Sequence, residues 1–185
     1  MKRKLLAAFA AVALVGGFVV AAELKSGPQS GEKVPGPFHP FNVTGEDAGQ
    51  KQCLYCKNGD SPVAVVFSRS PECPMTQKLI KALDEATIKN AKAEMGSYVV
   101  YLTGDEKQDA AIKEIAKKHS LKQIILSIDD VQGPSKYDIS KDADVTVVLY
   151  TDRVVKANHT FAKGKLTEQD IEKVVSDVSK ILPTK

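Results

Sequence analysis

Pro62-Val63-Ala64-Val65-Val66-Phe67-Ser68-Arg69-Ser70-Pro71-Glu72-Cys73-Pro74 is the stretch on which the fold turns. Val63 to Phe67 is a continuous apolar run, the pattern of a strand covered on both faces and hence of a central strand. The run empties into a turn carrying Cys73, and Pro74 suits the first turn of a helix because its missing N–H is not needed there. Met75, Leu79, Leu83 and Ala86 then recur at helical spacing, with Lys78, Lys81 and Lys89 on the other side. The predicted unit is therefore strand, cysteine-bearing turn, helix.

Just upstream stands Cys53-Leu54-Tyr55-Cys56, so all three cysteines of the chain lie on this strand or its flanks. Asn58-Gly59, both tolerant of positive φ, predicts a tight turn between residues 51–56 and the strand. Downstream, Tyr98 to Leu102 and Ile124 to Ile128 read as further buried strands. Between them Asp105 opens a helix whose inner face is Ala111, Ile112, Ile115 and Ala116. Alternation of strands and helices predicts parallel pairing with right-handed crossovers. The polar stretch from Asp129 to Asp144, with Gly133-Pro134, reads as a surface excursion. Val145 to Tyr150 and Val154 to Phe161 then form an antiparallel hairpin about Thr151-Asp152. A last helix starts at Thr167, with Asp170 three residues on as in a capping box, and carries Ile171, Val174, Val175, Val178, Ile181 and Leu182 on one stripe.

The ends bound the rest. Residues 1–22 open with Lys2-Arg3-Lys4, continue uncharged from Leu5 and end Val20-Ala21-Ala22, the pattern of a secretory signal peptide, with an uncleaved membrane anchor as the alternative. The formal charge of +3 reflects 26 basic against 23 acidic residues. Removing the three leading cations balances the two, so no basic face for nucleic acid or anionic lipid is implied. Residues 23–40, rich in Gly and Pro, are expected to be a tether, and residues 41–185 a single domain. Export places the protein in a periplasmic or extracellular setting where disulfides persist, and cleavage leaves no stable membrane span. The sequons Asn42-Val43-Thr44 and Asn158-His159-Thr160 bear on the protein only in a glycosylating host.

This order of elements, with a cysteine where a central strand meets its helix, resembles the thioredoxin-like fold over residues 31–182. The stretch Gly31-Glu32-Lys33-Val34-Pro35-Gly36-Pro37-Phe38 and the strand ending in Asp129-Asp130 look more like the redoxin and peroxiredoxin branch, as found in secreted bacterial thioredoxin-domain proteins. The resemblance implies an α/β, three-layer fold, a central mixed sheet flanked by helices, with a C-terminal hairpin and helix. It also implies a peroxide or protein disulfide as substrate and a thiol as reductant. Ser70-Pro71-Glu72-Cys73 matches a Cys-x-x-Cys whose first position is Ser, and Ser70 matches the Thr or Ser that precedes the peroxide-reducing cysteine by three residues. Departures are equally plain: there is no tryptophan, and Val145 takes the position of the family's proline.

Three readings of the cysteines follow. Cys73 at a helix N-terminus is placed for reactivity, with Arg69 adding positive charge and Ser70 placed to hydrogen-bond the sulfur; alternatively it is a small buried residue at a strand–helix joint. Cys53 and Cys56 form either a local structural disulfide or the exchanging or resolving pair, and extended strand between Cys56 and Cys73 holds those two apart. A metal shell would need all three cysteines and one of His39, His119 or His159, and the paired motifs such a site uses are missing. Lys57 after Cys56 excludes covalent haem attachment. No cofactor is expected. The leading expectation is an exported thiol–disulfide redoxin with Cys73, Ser70 and Arg69 at its centre. The competitor is a non-catalytic thioredoxin-like binding module with a structural Cys53–Cys56 disulfide.

Overall fold

The computed structural model describes residues 24–183, so the expected signal peptide lies outside the described residues. Six strands form one mixed sheet: β1 (Phe41–Asn42), β2 (Val63–Ser68), β3 (Gly96–Leu102), β4 (Ile125–Asp129), β5 (Val145–Thr151) and β6 (Val154–Phe161). Their order across the sheet is β1-β4-β3-β2-β5-β6. β2, β3 and β4 run parallel, while β5 lies antiparallel to β2, β6 to β5 and β1 to β4. The apolar run of β2 is thus central, and all six of its residues are buried.

Its alternating side chains divide the interior in two. Ala64 and Val66 face α2 (Pro74–Lys89), α3 (Asp109–Lys118) and α4 (Glu168–Asp177), packing with Leu79, Ile80, Leu83, Ile112 and Val174. Val63, Val65 and Phe67 face the opposite side, where Val34, Phe38, Tyr137 and α1 (Leu54–Asn58) cover the sheet. Each large apolar side chain so buried contributes roughly 1.5–3 kcal/mol. α4 carries the capping box that its sequence announces: Asp170 N–H donates to Thr167 Oγ1 and Thr167 N–H to Asp170 Oδ2.

The second face corrects one expectation and adds to another. Residues 24–40 are not a tether. The Pro and Gly residues keep the segment free of helix, but it lies along β6, where Gly31 N–H donates to the Val155 carbonyl and Val34 N–H to that of Arg153. Val34 and Phe38 anchor it in the core, so the packed unit reaches back beyond residue 41. The excursion after β4 does run over the surface, yet its polar composition hides Tyr137 and Ile139, both buried. Tyr137 packs edge-on against Phe38 with ring centroids 5.0 Å apart and donates its hydroxyl to the Gly36 carbonyl at 2.7 Å.

Smaller corrections concern helix ends. Asp105 caps a single 3-10 turn (Glu106–Gln108) ahead of α3, and Ala111 is exposed because α3 rests on the sheet mainly through Ile112. The tight turn expected at Asn58-Gly59 is present, with Ser61 N–H donating to the Asn58 carbonyl at 3.0 Å, but a helix leads into it. Residues 54–58 form a helix, and Gly59 at φ 55° ends it.

Candidate functional site

The carboxyl ends of β2, β3 and β4 lie side by side, the edge at which open parallel sheets present their functional groups. Ser68 ends β2 opposite Val145, and the chain turns through Arg69-Ser70-Pro71-Glu72 to Cys73. Cys73 has extended backbone angles and occupies the N-cap of the 16-residue α2, with Pro74 next. Its thiol is unpaired and partly exposed. The turn is fixed at both ends: Cys73 N–H donates to the Ser70 carbonyl at 3.1 Å, and Gln77 Nε2 donates to the Pro71 carbonyl at 2.9 Å. Gln77 Oε1 in turn accepts from His119 Nε2 at 2.9 Å, which links the end of α3 to the cysteine turn. His119 is the C-cap of α3, its backbone N–H donating to the Ile115 carbonyl while its ring bonds Gln77, and its pKa is lowered by burial and by Lys118 and Lys81.

The Arg69 guanidinium donates to the carbonyls of Val131, Ser140 and Ala143, and so staples the 131–143 loop to the end of β2. Ser70 is buried and donates its hydroxyl to Asp144 Oδ1 at 2.6 Å. Both residues hold the corner in which Cys73 sits. Sequence could not reveal this, because their partners lie more than sixty positions away.

Beneath the corner lie groups the sequence did not single out. Thr76, three residues after Cys73 and so on the same side of α2, is fully buried with no hydrogen-bond partner for Oγ1. The hydroxyls of Tyr101 and Thr103, at the end of β3, also lack partners. Tyr101 pairs in register with Ser68 and packs on the α2 side. Burial pushes its hydroxyl well above the usual phenol range, and the Glu72 carboxylate adds to the rise. Buried hydroxyls without partners are uncommon in folded proteins. Farther along the same edge, burial also raises the Asp129 carboxyl.

Cys53 and Cys56 lie elsewhere. Cys53 is the N-cap of α1 and is bonded to Cys56, with α-carbons 5.2 Å apart. α1 leads into the amino end of β2 and Cys73 follows its carboxyl end, so six extended residues hold the pair and the thiol roughly 15–20 Å apart along the strand. The metal shell built from all three cysteines does not form: two are bonded to each other and the third is remote. Among the described residues no group of three metal-binding side chains comes together.

The two sequons are closed by packing. Asn42 is 1% exposed, and Asn158 donates its amide to the carbonyls of Ser26 and Pro28. Neither side chain is presented for glycosylation in the folded chain.

No family model and no curated protein matches this sequence. Solved structures do. A candidate protein disulfide isomerase from Bacteroides thetaiotaomicron superposes with a TM-score of 0.64 at 14% identity, over 86% of this chain and 94% of that one. The peroxidoxin BcpB from Mycobacterium tuberculosis gives 0.58 at 15% identity, over 86% and 99%. A secreted disulfide oxidoreductase of Mycobacterium tuberculosis gives 0.53 at 12%, over 77% and 94%. Taken with the mixed sheet, the flanking helices and a cysteine at the β2–α2 corner, these likenesses identify the fold as thioredoxin-like, of the kind found in redoxins.

Proposed function

We propose that this chain is an exported thiol–disulfide redox protein of the redoxin type, with Cys73 as its nucleophilic thiol. The observation that carries this reading is the unpaired, partly exposed Cys73 at the N-cap of α2, on the functional edge of the sheet. Unpaired amides of a first helical turn favour negative charge on an attacking sulfur and on the atom it displaces. Arg69 and Ser70 act as positioning residues that hold the turn. The buried Thr76 and Tyr101 hydroxyls make the ground beneath it polar.

With a peroxide as substrate, the Cys73 thiolate attacks one peroxide oxygen, the O–O bond breaks and an alcohol or water leaves once protonated. The resulting sulfenic acid is reduced by two external thiols, which end as a disulfide with release of water. With a protein disulfide as substrate, the same thiolate attacks one sulfur and forms a mixed disulfide. The Cys53–Cys56 bond acts as a second, separate redox pair. Export rests on the sequence of residues 1–22; an amino terminus at Glu23 on protein recovered outside the cytoplasm would support it. Among the described residues no helix is long and apolar enough to cross a membrane.

The test compares peroxide consumption and disulfide exchange by the full chain with those of Cys73→Ser and of a Cys53→Ser, Cys56→Ser double variant. Loss of turnover in Cys73→Ser, by a hundredfold or more on the order expected for a missing nucleophile, supports the reading. Undiminished turnover there refutes it. A folded parent inert in both assays favours the binding module, a reading consistent with the engagement of Arg69 and Ser70 elsewhere.

A further inference from the structure

We propose that the Cys53–Cys56 disulfide is opened at Cys56, with Cys53 as the leaving sulfur; this rests on the reading of the pair as exchangeable. The two halves of the bond lie in different surroundings. Cys56 is exposed, whereas Cys53 is 9% exposed and belongs to the apolar cluster of Val34, Phe38, Leu54 and Val63. Thiol–disulfide exchange is an in-line displacement in which the incoming thiolate approaches opposite the sulfur that leaves, so access decides which sulfur is attacked. Approach to Cys56 comes from solvent; approach to Cys53 would have to come through the core.

The backbone favours the same direction. Cys56 N–H donates to Cys53 Sγ at 3.1 Å, a bond that strengthens when the acceptor gains negative charge. The step balances without any further oxidant: an external thiolate attacks Cys56 Sγ, the S–S bond breaks, and its electron pair stays on Cys53. A mixed disulfide at Cys56 and a thiolate at Cys53 result. A second external thiolate then attacks the external sulfur of that mixed disulfide; its bond to Cys56 breaks, the electron pair stays on Cys56, and the two external thiols leave as a disulfide with both cysteines reduced. Cys53 is thus the retained sulfur that re-forms the bond, and Cys56 the one that meets the partner. The attacking partner is a thiolate able to reach an exposed site, such as glutathione.

The oxidised full chain is treated briefly with glutathione, quenched with acid, alkylated and mapped by peptide mass spectrometry, which separates both cysteines from Cys73. The expected product carries glutathione on Cys56 and the alkyl label on Cys53. In parallel, Cys53→Ser and Cys56→Ser are labelled with a maleimide, and the remaining thiol at 56 is expected to react at least about tenfold faster than that at 53. In guanidinium chloride the two rates should converge, which ties the difference to the fold even if one variant is partly destabilised. Glutathione on Cys53, or equally on both, overturns the proposed direction while leaving the pair exchangeable. No adduct at either sulfur, with the bond intact, overturns the exchange role of the pair and this proposal with it, while the Cys73 reading is judged by its own turnover assay.

Discussion

At the scale of single residues the corner around Cys73 is built from side chains whose partners are far away in sequence. Arg69 spans three carbonyls of one loop, which a lysine ammonium at the end of a flexible stem does not reproduce. Arg69→Ala should cost about 2 kcal/mol, since hydrogen bonds from a charged group are worth roughly 1.5–3 kcal/mol each but part of this site is open to water. Hydrogen exchange should show faster amides across residues 131–143, and Arg69→Lys should recover less than half of the loss. Two buried polar side chains are expected to respond in opposite ways to truncation. Asp84 accepts from the backbone N–H groups of Lys122, Gln123 and Ile124, so Asp84→Ala orphans three amides and should cost about 3 kcal/mol in denaturant titration. The Tyr101 hydroxyl has no partner, and Tyr101→Phe should leave stability unchanged or raise it by up to about 1 kcal/mol. A fall in peroxide turnover in that variant, with stability kept, would place the hydroxyl in the chemistry.

At the scale of elements, the short helix α1 holds the disulfide in place by docking on the start of β3. Asn58 Nδ2 donates to the Leu54 carbonyl at 2.7 Å and so closes the helix, and its amide fills the space above Gly96. A Cβ on Gly96 would lie 1.8 Å from Asn58 Oδ1 and 2.7 Å from its Cγ. Gly96→Ala must therefore displace a side chain that is already hydrogen-bonded, at a cost of about 1–3 kcal/mol. Adding Asn58→Ala should remove most of that cost, so the double variant is expected to be more stable than the sum of the single changes by 1 kcal/mol or more. β2 was legible in the sequence as an unbroken apolar run, the β5–β6 hairpin from the turn between its strands, and α2 from apolar residues that repeat one helical period. α1, with five residues, is too short to show a period, so only the turn at Asn58-Gly59 that follows it was legible. Val34, Phe38 and Tyr137 were missed as core for a related reason: each is an isolated apolar residue among Gly, Pro or charge, and only the sheet face brings the three together.

For the whole molecule, the sheet's outer strand and its last helix are joined by a pair of ionisable groups whose state follows pH. His159 on β6 meets Asp177 at the end of α4, with Nε2 and Oδ2 3.1 Å apart and both side chains largely buried. Burial lowers the histidine below its ordinary value of 6.5, and Lys173 and Lys180 add to that; the attraction of Asp177 opposes them without prevailing. Asp177 itself is pushed up by burial, but the hydrogen bond and charge of Lys180 and the neighbouring His159 outweigh this and hold its carboxyl below the usual range. Well above pH 6.5 His159 is neutral in both folded and unfolded chains and imposes no pH dependence. As pH falls below 6.5 the unfolded chain takes up a proton that the folded chain resists, so stability must decline until the lowered folded value is passed. The Asp177 contribution is separate and is lost only at lower pH, as the carboxylate itself protonates. Because His119 is lowered as well, the parent's slope alone does not assign the effect to one histidine. His159→Gln keeps a donor for Asp177 but cannot take up the proton. Denaturant titrations at pH 7.5 and 5 should show the parent losing stability on acidification and the variant losing less. Equal losses in the two proteins would mean that His159 takes up its proton as readily in the folded chain as in the unfolded one.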